Sequence, residues 1–230
     1  MCSSDLGQHM SKVGVGILGI FWSALAWAQG IPTVTQWIDV FQEVRQHPLF
    51  QDLKFSYAKA PAENVAYSPV GVMPREGQDC VVVISEGANP KMNQILELTS
   101  TREDVRPLLL AMAAHELGHC FRIRSKHLSV ELWERVAATA EGTAERRSME
   151  KLVSIEEAYA DAYAFAYIHD AHPQMYSKVF AVMHCLRYEP SFATSFYQVE
   201  PLYALLGSRG LDVSLPLQNQ VEAAMQQAKF

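Results

Sequence analysis

The sequence has no excess of basic residues. Lys and Arg number 19 against 25 Asp and Glu, so the 230-residue chain carries a formal net charge of −6. Nucleic-acid binding rests largely on basic groups that neutralise phosphates, and no long basic stripe is present. The composition therefore argues against nucleic acid as the main partner. The short basic run at Arg122, Arg124, Lys126 and His127 is interpreted as a solvated helix end.

Low-complexity tracts and internal repeats are also absent, and the counts of glycine (12) and proline (11) are ordinary. Hydrophobic residues make up 49% of the chain and charged residues 19%, which is the balance of a protein that buries a core. A disordered or fibrous protein is therefore excluded. We expect one domain, formed by residues 29–230.

No apolar run reaches the ~20 residues that span a bilayer comfortably. The N-terminal run, residues 13–28, follows Lys12 and ends in small residues two apart, Ala26 and Ala28. A short positive start, a compact apolar run and such an ending predict a signal peptide over residues 10–28, cleaved after Ala28. We expect an exported protein, periplasmic or secreted, with no stable membrane insertion after cleavage. An uncleaved anchor is the alternative.

Residues 1–9 do not fit this signal peptide, because they place Asp5 and His9 before its positive start. We interpret them as an artefact and Met10 as the true initiator. The cysteine that a lipoprotein needs is absent at the cleavage point.

Cysteine is scarce in the mature chain, which keeps Cys80, Cys120 and Cys185. Export leads to an oxidising compartment, where disulfides persist. Three single pairings are possible, and three reduced cysteines buried in the core are an equal alternative. The sequence leaves this choice open.

Hydrophobic periodicity divides the chain into a short sheet region and a longer helical region. An apolar stripe predicts a helix over residues 33–46, and β-branched runs predict strands over residues 53–58, 65–72 and 80–84. Further helices are predicted over residues 108–121, 130–147, 155–169, 174–187, 199–206 and 217–229. A small N-terminal sheet followed by a mostly helical remainder predicts an α+β fold.

The central motif is His115-Glu116-Leu117-Gly118-His119, inside the predicted helix 108–121. Residues four apart lie on one face of a helix, so both imidazoles can approach one metal ion. Glu116 lies beside that face and can reach a water molecule held by the metal. This HExxH pattern is typical of zinc metallopeptidases, in which the histidines bind Zn²⁺ and the glutamate is the general base. The alternative is a pair of histidines on a solvent-exposed face of the helix, with no role in metal binding.

A catalytic zinc needs a third protein ligand and an open position for water. The metzincin pattern is absent, because Arg122 and Ser125 stand where it places glycine and histidine. Glu157 and Asp161 are four residues apart on the predicted helix 155–169 and face the same way. The arrangement resembles that of gluzincins, which take a glutamate from a later helix with an aspartate one turn further on, and this resemblance implies Glu157 as the third ligand.

Two alternatives concern Glu157. Ser154 and Glu157 form a capping-box pattern, in which Glu157 would merely satisfy a helix N-terminus. Glu156 would then be the rival ligand, although the residue four positions after it is Ala160. The alanines of this segment are predicted to let its helix pack closely on the HExxH helix; they are Ala158, Ala160, Ala162, Ala164 and Ala166.

The HELGH motif and the later pattern Glu-x-x-Ala-Asp, which begins at Glu157, together resemble the gluzincin clan of thermolysin. Within that clan they are closest to the CAAX-prenyl-protease and heat-shock membrane peptidases, and the resemblance covers residues 115–165. It implies a zincin-like fold, a Zn²⁺ ion held by His115, His119 and Glu157, and Glu116 as the catalytic base. It also implies that Asp161 accepts a hydrogen bond from a zinc-bound histidine. The membrane helices of that family are missing here, so its membrane substrates do not transfer.

The resemblance implies a zinc-dependent endopeptidase that hydrolyses a peptide or protein substrate through a metal-activated water. The alternative is a non-catalytic, zinc-stabilised periplasmic binding or assembly module. The strand over residues 80–84 precedes the metal helix, as the substrate-facing edge strand of zincins does, so we expect an extended peptide to pair along it. No residue matches the family's transition-state group; the candidates are His172, His184, Arg187, Tyr197 and Tyr203. The oligomeric state does not follow from the sequence.

Overall fold

The computed structural model describes residues 31–61, 68–87, 89–97, 99, 105–127, 132, 135–136, 138–188 and 199–230. The predicted signal peptide and the segment before it lie outside these residues. The fold is the predicted α+β arrangement, with a small sheet near the N-terminus and a mostly helical remainder. None of the described helices combines the length and the apolar character that a bilayer crossing requires.

The elements in chain order are α1 (Val34–Arg45), β1 (Phe55–Pro61), β2 (Val70–Met73), β3 (Cys80–Glu86), α2 (Pro90–Glu97), α3 (Val105–Arg124), α4 (Ala144–Ala171), α5 (Tyr176–Tyr188), α6 (Glu200–Arg209) and α7 (Leu217–Ala228). A short 3-10 turn, Pro173–Met175, leads into α5. Most predicted elements are present with small shifts of their ends. The predicted strand 65–72 lies partly outside the described residues, and its last part belongs to β2.

The largest difference from the predicted helices concerns α4, which is one continuous helix of 28 residues. We predicted two helices, over residues 130–147 and 155–169, with a break between them. The chain breaks earlier, at Gly142, whose φ of +77° lies in the left-handed region that favours glycine. Thr143 then caps α4, because its side chain accepts a hydrogen bond from the backbone N–H of Arg146.

This continuity excludes the capping-box interpretation of Glu157. Ser154 lies in the middle of α4, and its hydroxyl donates to the backbone carbonyl of Glu150 at 3.0 Å. A residue in that position has no helix N-terminus to cap. Glu157 is therefore a mid-helix residue whose side chain is free to project from one face of α4.

The three strands are arranged in the order β1-β3-β2, so β3 is the central strand. It pairs in parallel with β1 and antiparallel with β2, and most of its residues are buried. The expectation that a peptide would pair along residues 80–84 is therefore wrong, because both edges of β3 are already hydrogen-bonded. A run of β-branched residues identifies a strand but does not indicate its position in a sheet.

A disulfide joins the start of β3 to α3, the helix that carries His115 and His119. Cys80 and Cys120 are bonded, with their Cα atoms 5.4 Å apart, within the usual range for a disulfide. Of the three possible pairings, the one between Cys80 and Cys120 forms, so the alternative of three reduced cysteines is wrong. The bridge ties α3 to the sheet at the residue that follows His119.

Close packing of α3 on α4 depends on Gly118. A Cβ atom at this position would lie 3.0 Å from Cβ of Tyr163 and 3.1 Å from Cα of Ala160. Such distances are shorter than ordinary van der Waals contact, and neither atom belongs to the flexible end of a side chain. The predicted role of the alanines in close helix packing is confirmed at Ala160.

Gly118→Ala should therefore separate α3 from α4 and lower the free energy of unfolding by about 1–3 kcal/mol, the usual cost of overpacking. Urea denaturation measures this change. Gly207→Ala is the matched control, since residue 207 is also helical and its nearest neighbour is 3.7 Å away, an ordinary contact. The control should be neutral or stabilising by up to about 1 kcal/mol. Equal effects of the two substitutions would contradict this account.

Candidate metal centre

The side chains of His115, His119 and Glu157 converge where α3 packs on α4. Their nearest ligand atoms all lie within 4.8 Å of one another. The two Nε2 atoms are 3.1 Å apart, and each lies 3.5 Å from an oxygen of the Glu157 carboxylate. The exposed fractions of the three side chains are small: 12% for His115, 8% for His119 and 7% for Glu157. This nearly buried group could hold a metal ion.

Asp161 supports the group from behind His115. Its carboxylate is fully buried and accepts hydrogen bonds from His115 Nδ1 at 2.8 Å, from Arg187 at 2.6 and 2.8 Å, and from the hydroxyl of Tyr203 at 3.0 Å. An ionised carboxylate only accepts, so Nδ1 of His115 must carry the proton. When the ring is neutral, Nε2 then carries the lone pair and faces the other two side chains, which is the tautomer that a metal ligand requires.

Arg187 supplies the positive charge for two buried carboxylates. Its guanidinium contacts Asp161 and also lies 3.2 Å from an oxygen of Glu157. Burial alone would raise the pKa of Glu157, but the hydrogen bond and charge of His119, together with Arg187 and His115, lower it to about 2. Burial likewise opposes ionisation of Asp161, and the charge of Arg187 with the hydrogen bond from His115 lowers its pKa well below the ordinary value.

Glu116 lies beside this group rather than within it. Its side chain is buried, and burial raises its pKa, while the charges of His115 and His119 act in the opposite direction. A carboxyl group whose pKa is raised towards neutral accepts and returns protons more readily than an ordinary glutamate. The position next to both histidines and the raised pKa suit a general base.

His119 lacks the support that His115 receives. Its Nδ1 atom is buried and has no hydrogen-bond partner among the described residues. Its other ring nitrogen faces His115 and Glu157. The group is therefore asymmetric, with one firmly oriented imidazole and one that is oriented only through the other members of the group.

Glu156, the rival ligand, is engaged elsewhere. It accepts two hydrogen bonds from the guanidinium of Arg122, at 2.8 and 2.6 Å, and both residues are buried. The interpretation of Arg122 as part of a solvated helix end is therefore wrong. This pairing could not be predicted from the sequence, because the two residues are 34 positions apart and lie on different helices.

The remaining candidates for a transition-state residue are distributed unequally around the group. Arg187 and Tyr203 both contact Asp161. They follow it by 26 and 42 positions in the chain, and no local motif indicates either of them as a partner of Asp161. His184 packs among aromatic rings that include Tyr203. His172, which follows the last residue of α4, lies 3.8 Å from Glu43 of α1. Tyr197 lies outside the described residues.

No protein-family model matches this chain, and neither a curated protein nor a solved structure is significantly similar to it. The relation to gluzincins therefore rests on the motif residues and their geometry. It stays a prediction for the chain as a whole.

Stability of the metal-free protein should fall as the pH is lowered from about 5 towards 2. The folded pKa values of Glu157 and Asp161 lie below the ordinary values of about 4. Their stabilising contribution is therefore complete above the ordinary values and is lost as the pH falls through the folded ones. Asp161→Asn should lower the melting temperature most at neutral pH, and the difference from the parent protein should shrink in acid.

Thermal unfolding followed by circular dichroism between pH 7 and 2 measures this convergence. Asp212→Asn, at an exposed turn, is the control and should run parallel to the parent curve. A gap between Asp161→Asn and the parent that stays constant over the whole range would contradict the assigned pKa.

Proposed function

We propose that this protein is a zinc-dependent metallopeptidase of the gluzincin type. His115, His119 and Glu157 would hold Zn²⁺, and Glu116 would be the general base. The convergence of the two imidazoles and the Glu157 carboxylate carries the proposal. Zinc bonds to nitrogen and oxygen are about 2.0–2.1 Å long, so the ligand atoms around a tetrahedral ion are about 3.3 Å apart. The two Nε2 atoms are 3.1 Å apart, which is close to this spacing, and each faces its own oxygen of Glu157 at 3.5 Å, Oε2 at His115 and Oε1 at His119. With one ligand atom taken from each residue, all three lie within 4.8 Å of one another.

The chemistry of the donors also favours zinc over other common ions. Two imidazoles and one carboxylate form a His₂Glu set, which is typical of catalytic zinc with a fourth position open for water. Magnesium and calcium prefer oxygen ligands alone, and the nearby Cys120 is engaged in a disulfide. Asp161 adds the supporting carboxylate that fixes a zinc-bound histidine in the required tautomer.

This donor set and its neighbours support peptide hydrolysis as the reaction. Bound zinc would polarise the scissile carbonyl and lower the pKa of a water molecule towards ~7. Glu116 would accept a proton from the attacking water as the C–O bond forms. It would then pass that proton to the amine nitrogen as the C–N bond breaks. Its burial and raised pKa support both transfers, because they bring its proton affinity closer to that of its partners.

The substrate would be an extended peptide or protein segment that pairs with β2 rather than with β3. β2 is hydrogen-bonded to β3 along one edge, and its other edge has no strand partner among the described residues. β2 also contacts α3, the helix that carries both histidines. A peptide that extends the sheet at this edge would run alongside the metal helix.

The enzyme would act outside the cytoplasm, in the periplasm or as a secreted protein, after removal of residues 10–28. The bridge between Cys80 and Cys120 supports this location, because disulfides persist in oxidising compartments. The peptide-cleaving site would then meet extracytoplasmic substrates.

Metal content tests the ligand set directly. Purified residues 29–230 should bind one zinc ion per chain, and Glu157→Ala should weaken binding by at least about 10-fold, because a ligand is lost. Competition with a chelator, followed by elemental analysis, measures the affinity. Glu145→Ala removes an exposed glutamate from the same helix and should leave binding unchanged. If Glu157→Ala binds zinc as tightly as Glu145→Ala does, Glu157 is not a ligand.

Glu116→Gln tests the chemistry separately from the metal. The amide keeps the shape of the side chain but cannot accept the proton, so turnover of unfolded casein should fall by two or more orders of magnitude. Zinc content should stay at the parent level. Unchanged turnover would remove Glu116 from the mechanism. Stoichiometric zinc without any chelator-sensitive cleavage by the parent would instead favour the non-catalytic zinc module.

A further inference from the structure

The buried ion pair between Arg122 and Glu156 stands directly beside the proposed metal site. Arg122 follows His119 by one helical turn on α3, and Glu156 precedes Glu157 on α4. We propose that Arg122 and Glu156 are positioning residues, which fix the register of α3 on α4 and so hold Glu157 at coordinating distance from His119. This inference rests on the proposed function, since it assigns a role to residues around that metal site.

The geometry of the pair suits this role. Nε of Arg122 donates to one oxygen of Glu156 at 2.8 Å, and Nη2 donates to the other oxygen at 2.6 Å. Two parallel charge-assisted hydrogen bonds between planar groups define direction as well as distance. The side chains of both residues are less than 10% exposed, so water competes weakly for these bonds.

The other polar contact that flanks the site across these helices joins His115 to Asp161, but His115 is itself a proposed ligand. Between the two polar contacts, Gly118 lies against Ala160 and Cβ of Tyr163, where the absence of a side chain allows the helices to approach closely. A shift of one residue along a helix moves a side chain by about 1.5 Å, whereas metal–ligand distances tolerate only about 0.2 Å. The two hydrogen bonds between Arg122 and Glu156 involve no ligand side chain, yet these residues lie next to His119 and Glu157 in the helices. They can therefore hold the register of α3 on α4 before any metal binds.

A third helix supports Arg122 through Tyr159. The guanidinium of Arg122 lies 3.8 Å from the centre of the Tyr159 ring, and the hydroxyl of Tyr159 donates to Glu222 at 3.3 Å. Tyr159 belongs to α4 and Glu222 to α7. The face of the guanidinium is therefore held by the Tyr159 ring, which Glu222 of α7 holds in turn, as a positioning residue requires.

Arg122→Lys is the sharpest test, because lysine keeps the positive charge but cannot form the paired hydrogen bonds. Zinc affinity of the full chain should fall about 10-fold or more, the effect typical of residues that orient metal ligands. The visible absorption spectrum of the Co²⁺-substituted protein should change shape, since the ligand field reports the coordination geometry. Glu156→Gln, which preserves the shape of the side chain, should act in the same direction and serves if Arg122→Lys fails to fold.

Leu109→Ala is the matched control for a loss of stability alone. Leu109 is fully buried on the same helix, far from the ion pair, so its truncation should lower the melting temperature without changing zinc affinity or the Co²⁺ spectrum. A parent protein that binds no metal overturns the proposed function, and this inference with it. A parent that binds zinc, while Arg122→Lys and Glu156→Gln match it in affinity and spectrum, overturns only the positioning role. Losses in these two variants no larger than that of Leu109→Ala overturn it as well.

Discussion

Close antiparallel packing of α3 on α4 is the constraint on which the candidate site depends. The two helices can approach because residue 118 carries no side chain where Ala160 lies opposite. At that separation, three polar contacts cross the interface in order: His115 with Asp161, the His119–Glu157 contact, and Arg122 with Glu156. The middle contact holds ligand atoms from both helices, and the outer two orient it. The site is therefore a property of the helix pair rather than of either helix alone.

Charge balance is the second requirement, because two carboxylates are buried within one turn of α4. Glu157 and Asp161 would be costly to ionise without a cation, and Arg187 contacts both. Arg187 thereby leaves Glu157 ionised and directed at the histidines before a metal binds. A divalent ion held by this group would add further positive charge beside three nearby carboxylates, counting Glu116.

The sequence predicted those parts of the site that obey local periodicity. The four-residue spacing of His115 and His119, and of Glu157 and Asp161, gave the right faces of two helices, and the gluzincin pattern indicated which faces meet. The partners of Asp161 could not be predicted in the same way. Arg187 and Tyr203 reach it through tertiary packing of α5 and α6, and no spacing rule connects them to it.

The fold shows the same division between local and long-range information. Helix periodicity located most helices, but the break at Gly142 was assigned to the wrong place because helix propensity continues on both sides of it. Strand propensity found residues 80–84 but not their central position, which depends on pairing with β1 and β2. The ion pair between Arg122 and Glu156 was not predicted, for a related reason. A basic residue near a helix end is usually solvated, and here the packing of α4 on α3 buries Arg122.

The bridge between Cys80 and Cys120 makes correct maturation of the protein depend on its redox environment. A polypeptide synthesised where thiols stay reduced would reach its final helix packing without a covalent tie between the sheet and the residue next to His119. In that state the free thiolates of residues 80 and 120 would themselves be strong ligands for the proposed zinc ion. Once the bridge has formed, these thiolates are no longer open to a metal.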